Sequence, residues 1–333
     1  MSLTPHDALF KALLGKPEHA HGVLRGVVPA AVAEAIDWQT LTLAPGNFID
    51  LELRQQYSDL LYSARWNDGS ELLAYFLFEH QSAPPKTKNG PMAYRLLSYQ
   101  LRIWDEWFGR NPQAKTLPMI IPVVLYHGQA PWSEPRLFGD VLAVPPGVRP
   151  AVERYLVQFA YLLHDLSEIS DDELRDRAMM TAVARLVALC FKHARTSPDF
   201  MTVFGRWMNV VREVVQAPNG LSALAQVLCY ILQVSEHVER DELKALLARE
   251  IGPETEEAIV TAGQLLIEQG RQQGRQEERQ RLQELLIHLL RQRFGDAVDA
   301  PVERRIAMAS IEQIETWTRR VLSVATLGEL FAN

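Results

Sequence analysis

The chain has 333 residues, is 47% hydrophobic and 23% charged, and carries a formal net charge of −7. That length suggests two domains. The acidic balance excludes a global basic field for nucleic acid, so any such contact needs a local patch. Cys190 and Cys229 lie far apart in apolar helical patterns and read as small buried hydrophobes, not as a disulfide framework or a zinc site. The N-terminal stretch lacks the basic start and apolar core of a signal peptide, and the most apolar window, LPMIIPVVLY (117–126), is too short to span a bilayer. A cytoplasmic protein that binds neither membrane nor organic cofactor is expected.

Thr4-Pro5-His6-Asp7 predicts a helix start, with Thr4 as N-cap and Pro5 at the first helical position, and helical character continues to about Ala35. YSDLLYSARWNDGSELLAYFLFEHQS (57–82) reads as a β-hairpin around Asn67-Asp68-Gly69. Helical spacing returns over 90–110, a buried strand is expected over 119–128, and another over 154–166. From Ser170 onward strand signals vanish and amphipathic helices follow, which places a boundary near 168. A long helix is expected over roughly 254–294. It contains GRQQGRQEERQR, close to a four-residue repeat that drifts around the helix axis and makes no fixed apolar seam. Leu282, Leu285, Leu286, Leu289 and Leu290 restore an apolar face, and a short terminal helix or two close the chain. The expected fold is α/β: a mixed sheet with flanking helices over 1–168, a helical region over 169–253, and an oligomerising tail over 254–333.

The apolar run ELLAYFLFEHQS ends abruptly on Glu79, His80 and Gln81. A three-residue loop with Gly69 in the left-handed position would pair Trp66 with Ser70 and set Asp59 opposite Leu77. Leu77, Glu79 and Gln81 then share a face, and Asp59 lies diagonal to Glu79, about 7–8 Å away between backbone positions. Two carboxylates so close call for a bound divalent cation, because the alternatives are repulsion or a shared proton. Oxygen ligands suit Mg²⁺, Mn²⁺ or Ca²⁺ rather than zinc.

SDLLY (58–62) followed by FEHQS (78–82), together with HDALFKALL (6–14), MAYRLLSYQLRIW (92–104), PVVLYHG (122–128) and the late GRQQGRQE repeat, resembles the Rpn family of recombination-promoting nucleases, the YhgA-like transposase type. That family belongs to the PD-(D/E)XK nuclease superfamily. The resemblance implies a restriction-endonuclease-like core and metal-assisted hydrolysis of DNA phosphodiester bonds, leaving 5′-phosphate. It implies metal binding by Asp59, Glu79 and the backbone carbonyl of His80. It likens Asp7 to the acidic residue that many superfamily members carry on their first helix. Gln81 stands where the superfamily usually has lysine; its amide can orient water but brings no charge. Lys11 or Arg95 would then have to supply charge from elsewhere.

Plainer readings stand beside these. Asp7 also completes a capping pair with Thr4, and the ring of His80 points away from the Glu79 face as a structural histidine would. Between 86 and 115 there are six basic residues, Lys86, Lys88, Arg95, Arg102, Arg110 and Lys115, against Asp105 and Glu106. This stretch is the best candidate for phosphate contact, or else a solvated helix face. The leading expectation is a metal-dependent DNA endonuclease tied to recombination, working as a homodimer because cutting both strands needs two sites. The alternatives are a DNA-binding or assembly protein that keeps the nuclease fold without the reaction, and an oligomerising adaptor with a structural metal.

Overall fold

A computed structural model describes residues 4–44, 60–68, 74–82 and 90–331, with Ala74, Tyr75, Leu77, Glu79, Gln273, Glu277 and Asp296 described by their backbone alone. The first helix, α1 (Pro5–Leu9), is fixed by a reciprocal cap. The Thr4 hydroxyl accepts from the Asp7 N–H at 3.2 Å, and the Asp7 carboxylate accepts from the Thr4 N–H at 3.2 Å. A wide π-turn follows over Phe10–Leu14. The helical stretch expected up to Ala35 is thereby divided, continuing as α2 (Pro17–Val27) and α3 (Ala30–Ala35). Gly22 lets α2 lie directly on the backbone of Met179: a Cβ there would sit 2.0 Å from the Met179 carbonyl oxygen.

Five strands form one mixed sheet in the order β1-β2-β3-β4-β5: β1 (Ile36–Leu43), β2 (Leu60–Trp66), β3 (Ala74–Gln81), β4 (Met119–Tyr126) and β5 (Leu162–Asp165). β1–β2 and β2–β3 are antiparallel, and β3–β4 and β4–β5 are parallel. The hairpin and β4 lie where the sequence places them. β1 has no counterpart among the expected elements, because its ladder is irregular between Asp37 and Thr42 and its burial does not alternate cleanly. The strand expected over 154–166 shrinks to its last part, since Glu153–Tyr155 is a turn of 3₁₀ helix with Tyr155 77% exposed.

The hairpin register also differs from the expected one. Leu61, not Asp59, is the partner of Leu77. The offset is two residues, which leaves every side chain on the same face. The apolar alternation of the two strands therefore cannot tell these registers apart.

The two faces of the sheet are covered differently. α4 (Met92–Arg110) connects β3 to the parallel strand β4 and packs Met92, Leu96, Tyr99 and Ile103 against Leu61, Ile120 and Val124. The opposite face, with Tyr62, Phe76, Phe78 and His80, receives the N-terminal helices; Phe10 meets Phe78 at 5.0 Å between ring centres. It also receives α5 (Asp171–Asp176) and α6 (Ala182–His193), backed by α7 (Phe200–Gly205), α8 (Met208–Gln216), α9 (Gly220–Val234) and α10 (Arg240–Glu250). Position 168 thus marks a change from sheet to helix inside one compact unit, which runs to Gly263. Cys190 and Cys229 are buried within it as thiols and form no disulfide with each other.

The residues from Gln264 form a second unit. α11 (Thr255–Phe294) is a continuous 40-residue helix, followed by α12 (Ala300–Met308), α13 (Ile311–Arg320) and α14 (Leu327–Phe331). Leu286 and Leu290 are fully buried against Ile306, Ile314, Trp317, Val321 and Leu330. The leucine face that seemed to need a second chain therefore finds its main partner within its own unit. No helix among the described residues is long and apolar enough to cross a membrane.

Candidate active site at the carboxyl end of β3

Ligand sites of α/β sheets gather at the carboxyl ends of parallel strands, and here β3, β4 and β5 end together at Gln81, Tyr126 and Asp165. Position 79 pairs with Val124 and position 81 with Tyr126. By register, positions 79 and 81 belong to the face under α4. The Gln81 carbonyl accepts from the His127 N–H at 3.1 Å and so points at β4. Carbonyls alternate along a strand, so that of His80 points the other way, toward β2. It is thus directed to the side on which a cation shared between the hairpin strands would lie, a direction compatible with the donor set that the resemblance implies.

α4 leaves from this strand end and returns antiparallel to β3 to reach the start of β4. Its first turns therefore lie beside positions 79–81. Arg95, in those turns, is only 7% exposed, and its Nη2 lies 3.5 Å from the Tyr99 hydroxyl one turn on. Arg102, two turns from Arg95, is exposed.

His80 points to the other face, as expected, and there it joins a buried polar cluster. Its Nε2 lies 2.6 Å from the His127 Nε2, and its Nδ1 lies 3.5 Å from an Asp7 carboxylate oxygen. The His127 Nδ1 donates to the Phe191 carbonyl at 3.0 Å, which leaves its Nε2 to accept from His80. His6 Nε2 faces the Arg195 guanidinium at 3.5 Å, so it accepts there, and its Nδ1–H meets the Tyr230 hydroxyl at 2.8 Å. Burial is the largest influence on all three rings and lowers their pKa values. His6 falls to about 4, and His127 lies well below the usual histidine value, pushed further down by its histidine neighbours. His80 is lowered by burial against the opposing pull of Asp7. Burial opposes the charging of all three rings, which tie α1, β3, β4, α6 and α9 together.

Asp7 therefore does two things: it caps α1 and it faces His80. Lys11 belongs to the π-turn whose Phe10 meets the Phe78 ring edge-on and the His80 ring at a tilt, on the face opposite position 79. Asp59, Lys86 and Lys88 lie outside the described residues, as does the side chain of Glu79. Among the described residues no three histidine, cysteine, aspartate or glutamate side chains are grouped to hold a metal. One cation escapes sequence reasoning. Arg195 is exposed, and its Nη2 donates to the Ser82 carbonyl at 3.3 Å, one residue past Gln81. Nothing local in the sequence links it to a strand end 113 residues away.

The sequence profile of the family described as "Putative transposase, YhgA-like" matches residues 4–222. The chain is 31% identical over 272 residues to the recombination-promoting nuclease RpnA of Escherichia coli K12, covering 81% of this chain and 86% of that protein. It is 30% identical to the recombination-promoting nuclease RpnD of Escherichia coli O157:H7, covering 78% of this chain and 93% of RpnD. It is also 30% identical to the inactive recombination-promoting nuclease-like protein RpnE of Escherichia coli K12, covering 81% and 83%. No solved structure matches.

Proposed function

The chain belongs to the YhgA-like transposase family with the Rpn recombination-promoting nucleases, and from that premise we propose that it is a divalent-metal-dependent DNA endonuclease acting in recombination, built on a restriction-endonuclease-like core. The observation that carries this reading is the end of β3. There the backbone puts positions 79 and 81 on one face and turns the His80 carbonyl toward β2. Asp59, Glu79 and the His80 carbonyl would hold Mg²⁺ or Mn²⁺. Such an ion, when bound, polarises a phosphate oxygen and makes coordinated water a usable nucleophile. The amide of Gln81 orients that water beside the phosphate. Arg102, Lys86, Lys88 and Arg195 would contact flanking phosphates, and Asp7 holds the strand end from behind through His80. Two chains act together when both DNA strands are cut.

The test is nicking of supercoiled plasmid by purified protein in Mg²⁺ or Mn²⁺, with EDTA as control. The reading expects metal-dependent nicks, absent in Asp59→Ala. A second reading, DNA binding without cleavage, is favoured by the charge lost at Gln81 and by the similarity to a relative named as inactive. Metal-independent DNA binding with no nicking in any divalent cation would support that second reading.

A further inference from the structure

We propose that the cleft at the start of β1 is a nucleotide-binding site that takes a guanine 5′-nucleotide, free or as an unstacked guanine within a single strand. The inference does not depend on the nuclease reading above. The cleft has a volume of about 540 Å³ and is walled by α2, α3, the start of β1 and the end of β2, a size within the range of small-ligand sites. It lies at the other end of the sheet from Gln81. Ile36 pairs with Trp66, and Ala64 pairs with Ala74, the first residue of β3. The length of β3 from Ala74 to Gln81 makes about 23 Å.

The rings of the cleft supply a stacking surface. Trp38 stacks on Phe76 with ring centres 5.4 Å apart, and His21 packs on Trp38, also at 5.4 Å. Trp38 and Phe76 are buried, whereas His21 is partly exposed and lines the cleft. Unpaired bases stack on aromatic rings of this kind, histidine included. The His21 Nε2 is closed off from solvent and has no hydrogen-bond partner among the described residues. A buried ring nitrogen without a partner is costly, and a ligand group removes that cost. Burial, and then Arg25, lower the pKa of His21 and oppose its charging.

The polar groups around this ring fix the chemistry of the ligand. Arg25 follows His21 by one turn on the same side of α2 and is exposed. It is the lysine or arginine of the cleft lining among the described residues. The other polar groups are mostly acceptors. The Asp37 Oδ1 accepts from the Gln39 N–H at 3.1 Å, which orients that carboxylate and leaves Oδ2. The Asn67 Nδ2 donates to the Glu34 carbonyl at 2.6 Å, which leaves the Asn67 Oδ1. Glu34 adds a second, exposed carboxylate. One cation beside a surplus of acceptors suits a ligand with an anion at one end and N–H donors at the other. A guanine nucleotide has both: its phosphate meets Arg25, its base stacks on His21, and its adjacent N1–H and N2–H donors match the two oxygens of a carboxylate. Adenine and thymine offer no such pair of adjacent donors.

The experiment is calorimetric titration of the full chain in EDTA with the 5′-monophosphates of deoxyguanosine, deoxyadenosine and thymidine, with deoxyguanosine itself, and with a thymine single strand carrying one guanine. Wild type is compared with Arg25→Gln, His21→Leu, His21→Phe and the double variant Glu34→Gln/Asp37→Asn, and thermal melting confirms that each is folded. We expect the guanine monophosphate to bind at least about tenfold more tightly than the other two. Arg25→Gln should weaken it about tenfold and leave deoxyguanosine within about twofold. The double variant should abolish the preference for guanine, and Glu34→Gln carries that comparison if the double variant does not fold. His21→Leu should weaken every ligand about tenfold, and His21→Phe should restore the binding because it restores the stack. Binding of the guanine strand without the free monophosphate supports the site and assigns it to single strands; equal binding of both assigns it to nucleotides at large. No binding of any of these ligands at about 1 mM would overturn the inference. So would binding that ignores the base, or that Arg25→Gln leaves within about twofold of wild type.

Discussion

The two faces of one strand end present different chemistry. Toward α4, β3 offers position 79 and Gln81, which is the side assigned here to metal, water and phosphate. Toward α1 and α6 it offers His80, enclosed by His127, Asp7, Phe10 and Phe191. Alternation along a strand makes this possible, because consecutive residues face opposite ways. The comparison teaches that neighbours in a candidate motif need not share a role: positions 79 and 80 are adjacent in sequence and face opposite sides of the sheet.

The largest effect expected of this division is on the chemistry. Asp59→Ala should reduce plasmid nicking to background, while DNA affinity measured in EDTA stays close to wild type. Cleavage at the wild-type rate would move the site elsewhere.

On the histidine side the expected effects are on stability. His6 and His164 are held at about 4 by burial, against 6.5 in an open chain. The unfolded chain therefore binds more protons between those values, so stability is full above about 6.5 and falls as the pH drops toward 4. The deeply buried His164 alone contributes on the order of 3 kcal/mol to that loss. Urea unfolding at pH 7.5 and 4.5 measures it, and equal midpoints would contradict those lowered values. His127→Leu should cost about 1–3 kcal/mol by leaving the His80 N–H and the Phe191 carbonyl without their partner, seen as a lower melting temperature. The smallest effect belongs to Gln81→Lys, which should keep cleavage or raise it by up to about tenfold, with melting unchanged.

Local features of this molecule were legible in the sequence. The Thr4–Asp7 cap, the hairpin, β4, the helix Met92–Arg110 and the long helix Thr255–Phe294 all follow from spacing, caps and turn residues read over short windows. β1 was not legible, because an irregular edge strand lacks a clean two-residue period. The register of Leu61 on Leu77 was not legible either, since a two-residue slip preserves every face. The motif at 79–81 could be read as a site, and the parity of its faces could be argued. The polar cluster behind it could not be foreseen, because His6 meets Tyr230 across 224 residues and Arg195 reaches Ser82 only through the packing of α6 on the sheet. Equally, the leucines near 286 gave no sign that their partner would be Trp317 and Leu330 of the same chain.

The most direct test of the two-faced strand end compares Glu79→Gln with His80→Phe. Melting temperature and single-turnover cleavage per folded molecule in Mg²⁺ are measured for each at a temperature where both remain folded. The account predicts that Glu79→Gln melts close to wild type and does not cleave, whereas His80→Phe melts lower and its folded fraction still cleaves. A His80→Phe protein that is stable but inactive, beside a Glu79→Gln protein that still cleaves, would contradict it.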